Sequence, residues 1–136
     1  MTHRLPGDLA NILVVRMDNL GDVLLLAPAI AALGRAYANA AITLLASPSG
    51  SRAAPLIPGL ARVITHRASW QHVPGRGRVD DDRALIAEIE HGHFDAAIIF
   101  TSFSQTPFPA AYACYLAGVP IRAAQALEFG GDVLTH

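Results

Sequence analysis

Apolar positions along the chain alternate between short unbroken runs and a three- to four-residue spacing. Each change of period marks an element. Asn11-Ile-Leu-Val-Val15 is apolar, carries two adjacent valines and is bounded by polar residues, as a strand buried in a parallel sheet is. The turn Arg16 to Asp22 follows, with an arginine and two carboxylates. Val23, Leu26, Ile30 and Leu33 then form one stripe, which predicts a helix from about Gly21 to Tyr37, kinked at Pro28. Ala40 to Ala46 reads as a second strand, Ser47 to Ser51 as a turn, Arg52 to Ile57 as a short helix and Ala61 to Thr65 as a third strand. Arg67 to Val79, with Trp70, Pro74, Gly75 and Gly77, reads as a loop. Asp80-Asp81-Asp82 opens a helix to about His91, since carboxylates suit the positive helix end. Phe94 to Phe100 is the fourth strand, Thr101 to Pro107 a polar turn, and Phe108 to Ala117 a helix with Gly118 at its C′ position. Pro120 to Ala123 is a short fifth strand, and Gln125 to His136 has no clear period.

This alternation predicts an α/β fold in three layers: a parallel sheet with helices on both faces. In such sheets ligands bind where strands end and helices begin. The turns after the first, second and fourth strands are therefore the places to look for chemistry.

Composition narrows the classes. The 136 residues suit one domain, with residues 1–10 as a flexible leader and 11–136 as the folded unit. Hydrophobic residues make up 52% and the mean hydropathy is +0.36, which reads either as apolar surface meant for a partner or a further domain or simply as an alanine-rich composition. No apolar run reaches the roughly 18 residues of a membrane span. A net charge of −1 provides no bulk attraction to nucleic acid or to an anionic membrane. The chain has no Lys, which removes Schiff-base and P-loop lysines from consideration. The single Cys114 excludes an internal disulfide. Without an apolar leader of signal-peptide length, the default location is the cytoplasm. The abrupt end at Thr135-His136 reads as that of a truncated protein or an excised domain.

The candidate sites each admit a plain reading. Gly21 lets a backbone approach a ligand closely. Asp22, near a helix start, either caps that helix or is aimed into the crevice as a general base. Arg16 and Asp18 read either as substrate contacts or as a simple ion pair holding the turn, with Asn19 between them and Gly21. Ser47 and Ser49, before Arg52, either hold an anionic or polyhydroxyl group or form an ordinary capped turn. Thr101, Ser102 and Gln105, with Phe103, suit sugar hydroxyls and a sugar face. Trp70 and His72 either stack on a sugar ring or cover the core edge. His66 reads as structural or exposed. His91-Gly92-His93 lacks the partners of a metal site, so neither metal nor cofactor is expected. G-x-G-x-x-G, P-loop and G-x-S-x-G motifs are all absent, which argues against a dinucleotide-binding regulator and a hydrolase triad.

The opening Ile-Leu-Val-Val-Arg16-Met-Asp18-Asn-Leu-Gly21-Asp22, its apolar continuation through Pro28 to Leu33, and the strand Ala-Ile-Thr-Leu-Leu resemble the family 9 glycosyltransferases, the ADP-heptose:lipopolysaccharide heptosyltransferases. Phe94-Asp95-Ala-Ala-Ile and Ala117-Gly118-Val-Pro120-Ile-Arg122 resemble later segments of the family, although Ala123-Ala124 replaces its usual glycine. Phe129-Gly130-Gly131-Asp132 resembles the loop that follows. The resemblance implies the Rossmann-like, acceptor-side N-terminal half of a GT-B enzyme, without the C-terminal donor domain. It implies Asp22 as the catalytic base of inverting transfer. From their places in the turns after the first, second and fourth strands, Arg16, Asp18, Asn19, Gly21, Ser47, Ser49, Thr101, Ser102 and Gln105 are the candidate substrate-binding residues. The co-substrate would be a nucleotide-sugar such as ADP-heptose, and the acceptor a glycan or glycolipid at the inner membrane, which the protein would meet peripherally. Alone, the chain is expected to have negligible activity, because the donor would be held on one side only. The competing reading is a non-enzymatic Rossmann-like binding domain that associates through its apolar face.

Overall fold

The computed structural model describes residues 4–71 and 78–136. Five strands, β1 (Asn11–Arg16), β2 (Ala41–Ala46), β3 (Arg62–Thr65), β4 (Ala96–Ile99) and β5 (Ile121–Ala124), form one parallel sheet in the order β3-β2-β1-β4-β5. The strand order reverses between β1 and β4, and this is the topological switch point of the fold. Val14 lies level with Leu44 on one side and Ile98 on the other.

β1 is central because it is apolar on both faces. Leu13 and Val15 pack under helices α3 (Val79–His91) and α4 (Phe108–Leu116), with Leu85, Ile89, Ala111 and Cys114. Ile12 and Val14 pack under α1 (Leu20–Leu24), α2 (Ala27–Ala36) and a 3-10 helix, Gly50–Leu56, with Val23, Ile30 and Ala53. These four β1 side chains are at most 1% exposed. At roughly 1.5–3 kcal/mol for each fully buried aliphatic chain, they tie both layers to the sheet. Leu5 and Leu9 of the leader join the second layer.

The three-layer architecture agrees with the pattern read along the chain, but several boundaries differ. The single kinked helix is two helices, broken at Leu25 and Leu26. Pro28 lies in the first turn of α2, where its missing N–H has no partner to lose. The segment from Arg52 begins earlier, at Gly50, and is 3-10, with Pro55 inside it. Strand β4 is shorter than the run Phe94 to Phe100. Asp95 sits outside it, and its Oδ2 accepts from the backbone N of Ala10 and of Asn11, at 2.8 Å each. Gly118 takes the left-handed φ of +78° expected at a C′ position.

The aperiodic C-terminal stretch has a definite place. Thr135 N donates to Arg122 O at 2.8 Å and Ala124 N to His136 O at 3.2 Å, so the chain lies along the outer edge of β5. Arg122 fastens it: Nε donates to Val133 O (2.7 Å) and Nη2 to Asp132 O (3.0 Å), while Nη1 donates to Val119 O (2.6 Å). Cys114, buried beside this region, has its thiol pushed up to about 12 by burial, against the pull of Arg122, so it is inert near neutral pH. Among the described residues, no helix is long and apolar enough to cross a membrane.

Candidate functional site

The turns after β1, β2 and β4 converge at the carboxyl ends of the strands. Asp18 is the centre of the network that joins them. Its Oδ2 accepts from Arg16 Nε at 2.8 Å and from Ser102 Oγ at 3.2 Å, and its Oδ1 accepts from Gln105 Nε2 at 2.7 Å. The expected Arg16–Asp18 ion pair is therefore present, but it is also the anchor for the β4 loop. That loop is closed on itself, because Ser102 N donates to Gln105 Oε1 at 3.1 Å. Arg16 Nη2 donates to Ser102 Oγ at 3.3 Å.

The β2 loop is held from behind. Ser47 Oγ donates to the backbone carbonyl of Asp18 at 2.6 Å and accepts from Gly50 N at 2.9 Å. Gly50 is required by close approach: a Cβ there would lie 2.7 Å from Asp18 O and 2.7 Å from Val23 Cγ2. Ser47, proposed from its position as a ligand contact, thus has its hydroxyl engaged inside the protein. Ser49 is exposed and, with Ser47, His66, Arg67 and Gln71, lines a cavity of about 270 Å3.

Asp22 is placed differently from Asp18. The helix cap is Asn19, whose Oδ1 accepts from Asp22 N at 3.4 Å, and Asp22 lies two residues into α1 from its start at Leu20. This replaces the plain reading of Asp22 as the cap. A cap must precede the first helical residue, and Asn19 does. The Asp22 carboxylate is about a third exposed, and its neighbouring cation, Arg16 Nη2, is 3.8 Å from Oδ1. The same guanidinium thus binds Asp18 tightly and reaches toward Asp22. Gly21 is exposed beside it.

Two further cavities flank the β4 loop. One, of about 320 Å3, lies between Trp70 and the start of α4. The other, of about 740 Å3, opens toward β5 and is lined by Phe103, Leu127 and His136 among others. Thr101 and Gln105 line both. Asp22 lines none of the three cavities described here.

His66 is buried and structural: Nε2 is 2.8 Å from Asp82 Oδ1, which also accepts from Ser69 N at 3.4 Å. Burial pushes the Asp82 carboxyl up, but hydrogen bonds from Ser69 and His66, with the His66 charge, outweigh it and hold the group below its ordinary value. Reading the chain in order missed this pairing, since neither residue has a partner at a telling spacing. His72 lies outside the described residues. Among the described residues, no group of three or more His, Cys, Asp or Glu side chains is placed to hold a metal ion.

No protein-family model matches the sequence, and no curated protein sequence does. Solved structures do match. A family 9 glycosyl transferase from Veillonella parvula superposes with a TM-score of 0.71 and 19% identity, over 90% of this chain and 34% of that one. The E. coli ADP-heptose lps heptosyltransferase II gives 0.65 and 20%, over 84% and 30%. The E. coli heptosyltransferase WaaC with ADP gives 0.63 and 18%, over 87% and 38%. The chain spans about a third of the length of each, and its fold is the one found in that part of the family 9 heptosyltransferases.

Proposed function

We propose that this chain is the acceptor-binding part of a glycosyltransferase that moves a sugar, heptose or similar, from a nucleotide-sugar to a cell-envelope glycan. The observation that carries this reading is the contrast at the switch point: Asp18 has three donors on its carboxylate, while Asp22 is partly exposed with one cation at 3.8 Å. A general base must be held near the crevice yet keep an oxygen free for the proton it takes. In the proposed step an acceptor hydroxyl attacks the anomeric carbon and the bond to the nucleotide diphosphate breaks. Asp22 accepts the hydroxyl proton, and the configuration inverts. Arg16 and Asp18 position the turn, Ser102 and Gln105 tie the β4 loop to Asp18, and Thr101 of that loop faces the acceptor. The name of the E. coli ADP-heptose lps heptosyltransferase II supports ADP-heptose as donor and lipopolysaccharide as acceptor. The donor would be held mainly by residues outside this chain, so the chain alone turns over negligibly. The work would be done on the cytoplasmic side, peripheral to the inner membrane.

Titration of the labelled protein with a deacylated lipopolysaccharide core oligosaccharide tests the binding half of this reading. Amide shifts are expected in residues 16–22 and 101–105, and their absence would overturn it. A second reading, a non-enzymatic association domain, is favoured by three almost fully exposed side chains, Phe103 (92%), Leu127 (84%) and Phe129 (96%). Light scattering of a clean monomer, with no partner bound, would count against that alternative.

A further inference from the structure

The loop between β4 and α4 gives the core no side chain between Phe100 and Pro107. Thr101 and Ser102 are partly exposed; Phe103, Ser104, Gln105 and Thr106 are exposed. Local bonds keep its shape. Gln105 N donates to Ser102 O at 3.0 Å, Ser102 N to Gln105 Oε1 at 3.1 Å and Phe108 N to Thr106 Oγ1 at 3.3 Å. Among the described residues, the hydrogen bonds of residues 101–106 to the rest of the molecule all run to one ion pair. Ser102 Oγ and Gln105 Nε2 donate to the two oxygens of Asp18, and Arg16 Nη2 donates to Ser102 Oγ.

The two sides of this attachment differ in firmness. The Asp18 side is fixed without the loop: its buried carboxylate keeps Arg16 Nε at 2.8 Å, and its carbonyl is held by Ser47 Oγ at 2.6 Å. If Ser102 and Gln105 let go, the buried charge still has its cation, and the freed hydroxyl and amide reach water. No apolar side chain leaves the core in that step. A segment held in this way opens at a cost well below that of unfolding. Its ends are firm, because Phe100 N donates to Val15 O at 2.9 Å and Pro107, at the start of α4, is buried. What such an opening changes is the shape of the crevice. Ile99, Phe100, Thr101 and Gln105 line both the cavity of about 320 Å3 and that of about 740 Å3, so the loop is the wall between them.

We propose that residues 101–106 form a lid latched by the Asp18 carboxylate, and that release of Ser102 and Gln105 joins the two cavities into one groove running from Trp70 to β5. The latched state is the one described above; the open state is less populated, and weakening the latch enlarges it. The lid is independent of the glycosyltransferase reading, since it concerns the shape of the crevice and not the ligand that fills it.

The test compares the 136-residue chain with Ser102→Ala and Gln105→Glu. Ser102→Ala removes one donor from the latch. Gln105→Glu keeps an oxygen for Ser102 N but sets a second carboxylate against Asp18, where like charges repel. Two readouts are taken: backbone order parameters by NMR relaxation, and acrylamide quenching of Trp70, which lines the smaller cavity and is the only tryptophan. In Gln105→Glu the order parameters of residues 101–106 should fall from the rigid range, about 0.85, to below about 0.6, with Ser102→Ala between. Those of β1 and β4 should stay in the rigid range. The quenching constant of Trp70 should rise about twofold in Gln105→Glu, as the wall beside it opens. Loop order unchanged in both variants overturns the latch. So does a fall that spreads through β1 and β4, or loss of the native circular dichroism in Gln105→Glu, because the contact is then a member of the fold. A loosened loop with Trp70 quenching unchanged overturns the joining of the cavities.

Discussion

Arg16 and Arg122 are both largely buried, at 13% side-chain and 7% residue exposure, yet they use their guanidinium groups in opposite ways. Arg122 has no carboxylate partner among its hydrogen bonds. It donates to the carbonyls of Val119, Val133 and Asp132, more distantly to Pro120, and lies 5.2 Å from the Tyr115 ring centroid. It fastens one piece of backbone to another. Arg16 donates to side chains: Asp18, which it holds at 2.8 Å, and Ser102, with Asp22 at 3.8 Å. An arginine saturated by carbonyls holds a fold; one shared between two carboxylates leaves a group able to act. The contrast separates the outer edge of the sheet from the turns at the carboxyl ends of its strands.

The contrast can be broken in order of expected effect. In a chain joined to a heptosyltransferase donor half, Asp22→Asn should lower kcat by about 10²-fold or more, the usual size of a lost general base. Its melting temperature should barely move, because Asp22 has one long ionic contact. Equal losses of activity and stability would sink the assignment. Arg122→Met should cost about 2–4 kcal/mol by denaturant unfolding, as several buried carbonyls lose their donor. Arg122→Lys should not restore it, since an ammonium cannot reproduce the fork.

Gly50→Ala should cost about 1–3 kcal/mol, because the new methyl group meets Asp18 O and Val23. Chemical shifts at Asp18 and Ser102 should move with it, which shows that the β2 loop sets the turn. The smallest effect is acid-dependent. Asp82 is held below its ordinary value, so its contribution is complete above the unfolded value and is lost as pH falls through the lower, folded one. The stability gap between the protein and Asp82→Asn should therefore shrink below about pH 4. A gap constant down to pH 2 would remove the His66–Asp82 pairing from the account.

Much of the architecture was legible because it depends on local patterns. The apolar runs around Val14, Leu44 and Ile98 marked the strands, and the Arg16 to Asp22 turn lies, as its place after the first strand implied, at the carboxyl end of β1. What was missed depends on geometry across distance. Two residues of capping type, Asn19 and Asp22, lie three apart, and only the start of α1 at Leu20 decides between them. Pro28 is compatible with a kink or with a new helix start, and the Leu25–Leu26 break selects the second. The outer edge of β5 is covered through backbone carbonyls that carry no residue signature. Gln105 was expected to face substrate, yet its amide nitrogen is engaged by Asp18. Its position on the rim of two cavities was not readable from its neighbours in the chain.

The reversal in strand order also has a consequence in time. β1 pairs with β2 across one short crossover, but its other edge and the Asp18 clamp wait for β4 and its loop, with Ser102 84 residues and Gln105 87 residues farther along. At a ribosomal rate of about 5–20 residues per second, that interval is roughly 4–17 s. During it, one flank of the central strand and the Arg16 to Asp22 turn stand open. The crevice is thus expected to be among the last parts of the molecule to assemble, and the one most exposed to chaperones on the way.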